Sequence, residues 1–213
     1  MCLRTFEYNA HRLQVEDVDS AIALAEKFFS GLDSLIVCAG IEPPLARIAD
    51  MSFATFQKTF AVNVCGAFLS IQKSLPLLLR APGQARIVVL SSTGDKAKYA
   101  GRSAYCSSKA ALTRLIDILA WEHHEDPKIE VFGVYPGLTR TPMADAVLHG
   151  TYADVLFPEE AARYQKWVEE GAVDPPEWCA DACARLATGK SRGLRGQTAS
   201  YSAHVPELKL GRW

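Results

Sequence analysis

The stretch ARIVVLSS, residues 85–92, is a short apolar run that ends in two hydroxyl residues. Its length and composition are typical of a buried strand. A helix-length amphipathic segment lies on each side of it, at residues 52–80 and 103–125. This alternation predicts a parallel sheet, because parallel strands need a crossover connection between them.

The same alternation continues in both directions along the chain. SLIVCAG (34–40) and IEVFGVYPG (129–137) are further apolar runs of strand length that end in glycine. DVDSAIALAEKFFSG has the spacing of an amphipathic helix, and so does PEWCADACARLAT, which precedes a last predicted strand, TASYSA (198–203). The pattern predicts an α/β fold in which helices cover both faces of a parallel sheet.

Length and charge limit the classes of protein to consider. The 213 residues suit one domain, 1–213, and the net charge of -1 offers no basic field for a nucleic acid. We find no apolar run of the roughly 18–20 residues that a membrane span needs, and the first residues lack a signal-peptide core. We therefore expect a cytoplasmic protein that binds neither nucleic acid nor membrane.

The six cysteines include no CxxC pair. Cys179 and Cys183 are four residues apart and share a helix face, but no second pair of ligands accompanies them. Core packing is the better interpretation of this pair, and the sequence indicates neither a disulfide framework nor a metal site.

The second amphipathic segment contains AYCSSKAAL (104–112), in which Tyr105 and Lys109 are four residues apart. At that spacing the two side chains lie on one face of a helix. A fixed ammonium stabilises a phenolate, so the pair predicts a general acid/base whose pKa Lys109 lowers toward neutrality. The same spacing occurs by chance on many helices, and a structural role stays open at this point.

Three of the predicted strands end in small, hydroxyl-bearing or backbone-exposing residues. These ends are Cys38-Ala39-Gly40, Ser91-Ser92 and Pro136-Gly137. Ligands of open parallel sheets bind at the carboxyl ends of the strands, and the helix with Tyr105 begins just after the second of these ends. The sequence thus predicts one cleft that contains all of them.

Five features, in order and at matching spacing, resemble the short-chain dehydrogenase/reductase family. They are YCSSK for the family's YxxxK, Ser92 thirteen residues before Tyr105, Asn63 in VNVCG, LDSLIVCAG for LDxLVNNAG, and PGLTRTPM for PGxxxT. The resemblance runs from about residue 13 to 203. It implies a Rossmann-like doubly wound parallel sheet, N-terminally truncated relative to the family. It also implies an oxidoreductase that uses NAD or NADP to interconvert a secondary alcohol and a ketone.

By that resemblance, Tyr105 is the general acid/base, and Ser92 stabilises the substrate oxygen as an oxyanion donor must. Lys109 also binds the nicotinamide ribose, and Asn63 holds a water that links Lys109 to solvent. The cofactor-binding positions implied beside Tyr105 and Lys109 are Ala39, Gly40, Lys73, Pro136, Gly137, Thr139 and Thr141. A solvated charge explains Lys73 equally well.

The family's cofactor fingerprint, TGxxxGxG, is absent from the sequence, whose first glycine is Gly31. RLQVEDVDS (12–20) aligns as a strand and turn. TGKSRGLRG (188–196) looks like the fingerprint but follows a helix and precedes a strand, so we interpret its glycines as a helix stop and a turn. Without the family's first strand, SLIVCAG is expected to be an unpaired apolar edge.

Two functions stay open. The catalytic residues favour an enzyme acting on a small carbonyl or alcohol substrate, whereas the missing glycine loop favours a cofactor-deficient relative that serves as a non-catalytic interaction or oligomerisation protein. Residues 141–175 are interpreted as a substrate-lid insertion whose apolar side chains suit a hydrophobic or mid-sized carbonyl compound. Family members pair through the helices that correspond to 52–80 and 103–125, so a homodimer or homotetramer is expected.

Overall fold

A four-stranded parallel sheet forms the centre of the molecule, in the order β1-β2-β3-β4. The computed structural model describes residues 15–125, 128–150, 152, 154–189 and the backbone of 198–200. The strands are β1 (Ser34–Val37), β2 (Ala85–Leu90), β3 (Ile129–Tyr135) and β4 (Thr198–Ser200). The predicted parallel sheet is confirmed, and the end of TASYSA, 201–203, lies outside the described residues.

Helices connect the strands and extend beyond them. They are α1 (Val15–Phe28), α2 (Phe53–Phe60), a π-helical turn (Ala61–Gly66), α3 (Ala67–Leu79), a 3₁₀ turn (Thr93–Asp95), α4 (Ser103–Glu122), α5 (Pro142–Leu148), α6 (Pro158–Glu169) and α7 (Pro176–Ala187).

Two apolar clusters hold helices against the two faces of the sheet. On one face, Ile71 of α3 and Ile116 of α4 pack with Ile87 of β2. On the other face, Cys179 and Cys183 of α7 pack in a cluster with strand residues of β2 and β3. Helices therefore cover both faces, and the predicted core role of the two cysteines is confirmed.

Helix α1 begins at Val15, so the predicted strand and turn at RLQVEDVDS is wrong for residues 15–20. The physical reason is local, because Glu16 and Asp17 in the first turn favour the positive end of a helix. Val18 and Ala25 are the buried residues of α1. Residues 12–14 of the stretch lie outside the described residues.

The long predicted helix 52–80 is present, but a π-helical turn interrupts it. Ser52 is the N-cap, as its side chain accepts a hydrogen bond from the backbone N–H of Thr55 at 3.1 Å. The turn at Ala61–Gly66 holds one residue more per turn than an α-helix, a departure often found at functional sites.

Strand β1 pairs with β2 and with no other strand among the described residues. Ile36 on it is 45% exposed, and Cys38 and Ala39 beyond it are exposed as well. Within the part of the chain that the structure describes, this edge of β1 has no partner strand. The segment LRTFEY (3–8), which could fill the gap, lies outside the described residues, so the uncovered edge stays a prediction.

At the end of α7, Gly189 has a positive φ of 72° after the C-cap residue Thr188. This is the helix stop predicted for the start of TGKSRGLRG. Residues 190–196 lie outside the described part.

One helix, Phe53–Leu79, is apolar and long enough by composition and length to cross a membrane. Its residues Ala67, Ile71 and Leu78 belong to the core cluster against the sheet. A core helix of a globular domain meets the same criterion, and these buried positions account for part of its apolar character.

Candidate active site

Tyr105, Ser92 and Lys109 meet at the carboxyl edge of β2. Ser92 follows the strand, and Tyr105 lies in the first turn of α4. A Cβ atom at Gly94 would lie 3.3 Å from Ser92 Oγ and 3.6 Å from Cε1 of Tyr105, so both side chains adjoin the same glycine. The Nζ atom of Lys109, one turn further along α4, lies 5.8 Å from the centroid of the Tyr105 ring. The structure therefore brings together the three side chains that the sequence predicted.

Lys109 is anchored from the strand side, since its Nζ donates a hydrogen bond to the carbonyl oxygen of Leu90 at 2.9 Å. The residue is only 5% exposed. A Cβ atom at Gly40 would lie 3.6 Å from that Nζ and 3.4 Å from Oδ1 of Asn63. Glycine at position 40 therefore leaves open the space in front of Lys109 and Asn63.

Asn63 lies in the π-helical turn and is fully buried. Its Oδ1 accepts a hydrogen bond from the backbone N–H of Ile41 at 2.7 Å, and its Nδ2 donates to the Ile41 carbonyl and to Ser108 Oγ, both at 2.9 Å. Asn63 thus ties the loop after β1 to α4. The water that the resemblance assigns to it stays a prediction.

The acidity of Tyr105 differs from the sequence-based expectation. Burial raises the pKa of the phenol above its ordinary value of 10.0, and this effect is larger than any other. The neighbours that lower the pKa are Ser92, through its hydrogen bond, and the guanidinium of Arg102. The prediction that Lys109 brings the phenol toward neutrality is therefore wrong for the chain without ligand, because desolvation dominates.

Lys109 itself has a shifted pKa, which burial lowers from 10.5 to about 8. Between these values the unfolded chain binds more protons than the folded one, so this residue makes the unfolding free energy rise with pH. We expect the rise to be about 2–3 kcal/mol between pH 8 and 10.5 and to be absent in Lys109→Met. Urea unfolding of both proteins across this pH window measures it. Parallel pH dependences would contradict the prediction.

The loop after β3 holds the predicted cofactor residues Pro136, Gly137, Thr139 and Thr141. Gly137 has a φ of +73°, and the Thr139 hydroxyl donates to the Pro136 carbonyl at 2.8 Å. Thr141 caps α5, where its Oγ1 accepts from the Ala144 N–H. The hydroxyls of both threonines already have protein partners, and their contacts with a cofactor stay predictions.

Lys73 on α3 forms an ion pair with Asp19 of α1, with 2.7 Å between Nζ and Oδ1. Both side chains are partly exposed. The structure gives this lysine a partner on a neighbouring helix and does not bring it into the group around Tyr105. The solvated-charge interpretation fits this position better than cofactor binding.

A cavity of about 600 Å³ lies next to the site, between the loop that precedes α4 and helix α6 of the predicted lid. Glu160 joins the two parts, as one carboxylate oxygen accepts from the Ala100 N–H and the other from the Phe157 N–H. The residues that line the cavity are Ala97, Lys98, Tyr99, Ala100, Cys106, Phe157, Glu159, Glu160 and Arg163.

The sequence analysis missed a partly buried ion pair beside Tyr105. Arg102 donates two hydrogen bonds to the carboxylate of Glu42, at 2.5 and 2.7 Å. Arg102 precedes Tyr105 by three residues, so spacing could have pointed to it. Its partner is 60 residues away and only the fold brings it there. No cluster of three or more His, Cys, Asp and Glu side chains in the described ranges is arranged to hold a metal ion.

Comparison with known proteins agrees with this geometry. The profile of the short chain dehydrogenase family matches residues 5–151. The chain therefore belongs to the short-chain dehydrogenase/reductase family, a family of enzymes that use NAD or NADP as oxidoreductase cofactors. A solved short chain dehydrogenase/reductase from Saccharomyces cerevisiae has the same fold, with a TM-score of 0.80 and 22% identity over 90% of this chain and 74% of that one. The Rossmann-like fold is thus confirmed.

Individual relatives match most of the chain at modest identity. An uncharacterized oxidoreductase of Schizosaccharomyces pombe is 28% identical over 87% of this chain and 73% of its own length. A short chain dehydrogenase of Monascus purpureus is 30% identical over 91% of this chain and 60% of its own length. A benzil reductase of Bacillus subtilis is 26% identical over 83% of this chain and 74% of its own length. The chain thus spans between three fifths and three quarters of these relatives.

The residues around Lys109 fit one end of a nicotinamide dinucleotide. The Lys109 ammonium has three protons, of which the Leu90 carbonyl accepts one, and the missing side chain at Gly40 leaves room in front of it. This half could hold a ribose with its nicotinamide. For the pyrophosphate, the sequence has no glycine-rich loop between a strand and a helix.

Proposed function

We propose that this chain is an NAD(P)-dependent oxidoreductase that interconverts a secondary alcohol and a ketone. The observation that carries the proposal is the convergence of Ser92, Tyr105 and Lys109 at the carboxyl edge of the sheet. This arrangement suits proton transfer to an oxygen atom that approaches from the cleft. A bound nicotinamide would supply or accept the hydride.

In the direction of reduction, the Tyr105 phenol gives its proton to the carbonyl oxygen of the substrate. The Ser92 hydroxyl donates a hydrogen bond to the same oxygen and stabilises the charge that develops there. Lys109, with the water assigned to Asn63, connects the phenol to solvent so that it regains its proton. In the direction of oxidation, the same phenol accepts the alcohol proton.

The substrate proposed is a hydrophobic or mid-sized carbonyl compound or the corresponding alcohol. The cavity of about 600 Å³ is within the size range of small-molecule sites, and Tyr99 and Phe157 line it with aromatic surface. Ser92, Tyr105 and Lys109 do not line it, and Cys106 is the lining residue next to Tyr105. The relative named benzil reductase makes an aromatic diketone such as benzil a first compound to assay.

Titration of the purified chain with NADPH and with NADH, followed by fluorescence, tests the proposal. Saturable binding at roughly micromolar cofactor supports it, and the absence of binding at about millimolar cofactor would overturn it. Lys109→Met is the variant expected to weaken binding. Ser107→Ala on the exposed side of the same helix is the matched control and is expected to bind like the wild type.

A second candidate function is a cofactor-deficient relative that acts as an interaction protein. The edge of β1, unpaired on one side within the described residues, favours it. The same titration separates the two candidates, because this protein would bind neither dinucleotide.

We also propose a cytoplasmic homodimer or homotetramer. Large apolar side chains are exposed on both long helices, with Phe53 72% and Trp121 71% exposed. Such side chains favour an interface in which the helices of two copies pack together. Light scattering should give at least twice the chain mass, and Trp121→Glu should lower it. A wild-type mass equal to 23.3 kDa would contradict the proposal.

A further inference from the structure

Arg102 and Glu42 form a nearly enclosed bidentate ion pair at the start of α4. The Arg102 Nε and Nη2 atoms donate to the two carboxylate oxygens, and the side chains are 15% and 4% exposed. Two parallel hydrogen bonds fix the plane of the guanidinium far better than one could. The pair also links the loop after β1 to the first turn of the helix with Tyr105.

The guanidinium fixed in this way lies against the ring of Tyr105. Its central carbon is 5.1 Å from the Tyr105 ring centroid and 5.0 Å from that of Tyr99. A guanidinium over an aromatic face is attracted by the negative charge of the ring face and restricts how the ring can tilt. Lys109 is further away, at 5.8 Å from the same centroid.

We propose that Arg102, oriented by Glu42, is a positioning residue that fixes the ring of Tyr105 and sets the acidity of its phenol. The proposal rests on the proposed function of Tyr105 as the general acid/base, and goes beyond it by assigning the permanent positive charge of the site to Arg102. Glu42 is the opposing charge, and its effect on the pKa of the phenol is the larger of the two.

Arg102 suits this role better than Lys109 does. A guanidinium stays charged at every pH at which the protein is folded, and the pair with Glu42 raises the pKa of Arg102 further. Lys109 loses half of its charge near pH 8, because burial lowers its pKa to about 8. The two members of the pair act on Tyr105 with opposite sign, since Arg102 lowers the phenol pKa and Glu42 raises it.

Other charged or titratable groups face the same place from the surrounding elements. Those that act on the Tyr105 phenol or on Arg102 are Glu42 from the loop after β1, Cys106 and Lys109 from α4, Tyr99 from the preceding loop and Tyr164 from α6. Asp95 raises the pKa of the neighbouring Cys106 thiol. The guanidinium of Arg163 lies over the ring of Tyr99. Apart from Glu42, which is itself one of the substituted residues, these groups are the same in the variants below, so a difference between variants reports on the ion pair.

The test is a pH titration of the protein with ¹³Cζ-labelled tyrosine, followed by NMR without cofactor or substrate. Tyr105→Phe identifies the signal, and circular dichroism at each pH limits the data to the folded protein. We expect the ionisation midpoint of Tyr105 to rise by about one pH unit in Arg102→Met and to fall by about one in Glu42→Gln. Arg102→Lys, which keeps the charge, should return most of the way to the wild-type midpoint.

A merely structural pair would give a different result. Loosening of the loop would admit water in both variants and reduce the effect of burial, so both midpoints would fall. Midpoints that move in the same direction, or that do not move, would overturn the proposal. Should Arg102→Met fail to fold, Glu42→Gln and Arg102→Lys still decide. The proposal then requires a fall in Glu42→Gln and a midpoint close to that of the wild type in Arg102→Lys, and a fall in both variants would overturn it. Cofactor is absent throughout, so failure of the proposed function leaves this result interpretable.

Discussion

Tyr105→Phe is expected to lower turnover by about 10²- to 10⁴-fold, the range typical for loss of a general acid or base. The phenylalanine ring fills the same space under Arg102 but carries no proton to transfer. Cofactor affinity and the unfolding free energy should stay close to those of the wild type, because the change removes only one hydroxyl and leaves the ring in place. Oxidation of NADPH or NADH with benzil or another carbonyl compound measures the turnover.

Ser107→Ala serves as the control for Tyr105→Phe. It also removes one hydroxyl from α4, and its oxygen donates only to backbone carbonyls of the same helix. We expect its turnover to equal that of the wild type. Wild-type turnover in Tyr105→Phe would show that the phenol takes no part in the reaction, whether or not the cofactor assignment is correct.

Asn63→Ala is expected to lower the unfolding free energy by about 3–4 kcal/mol. The side chain is fully buried and satisfies the backbone N–H and carbonyl of Ile41 together with the hydroxyl of Ser108. In the alanine variant these groups lose their hydrogen-bond partner, and each group that water cannot reach costs about 1–3 kcal/mol. Urea unfolding measures the loss, and hydrogen exchange of the Ile41 amide should become faster.

Ser108→Ala provides the graded comparison for Asn63→Ala. It removes one of the three partners of the amide and should cost only about 1 kcal/mol. Equal losses in the two variants would show that the two hydrogen bonds between Asn63 and Ile41 add no net stability. An Ile41 amide that exchanges at the wild-type rate in Asn63→Ala would contradict its assigned role in holding the loop after β1.

The strands and most helices could be predicted from the sequence because their signals are local. Apolar runs such as ARIVVLSS (85–92) end where hydroxyl residues leave the sheet, and amphipathic spacing indicates the helices that cover it. The π-helical turn could not be predicted, because exposed apolar residues such as Phe53 and Phe68 also lie on this helix and obscure the phase shift that one added residue causes. For α1, the acidic first turn was a local signal that alignment with a strand overrode.

In the site, too, the features set by local spacing could be predicted from the sequence, and the contacts between residues distant in the chain could not. The spacing of Tyr105 and Lys109 correctly places both side chains at one cleft, since both lie on one helix. The acidity of the phenol depends on burial and on Arg102, whose orientation depends on Glu42 from another part of the chain. Spacing carries no information about such a contact. The ion pair between Lys73 and Asp19 is of the same kind.

Because of the π-helical turn at Ala61–Gly66, the packing of this helix on the sheet depends on the number of its residues as well as on their identity. Successive residues of an α-helix are about 100° apart around its axis. Removing one residue from the turn would restore α-helical geometry and rotate everything beyond it by that angle, which would take Ile71 and Leu78 off the sheet and carry exposed Phe68 toward it. A single deletion here would therefore act like many simultaneous core substitutions, although every remaining side chain is unchanged.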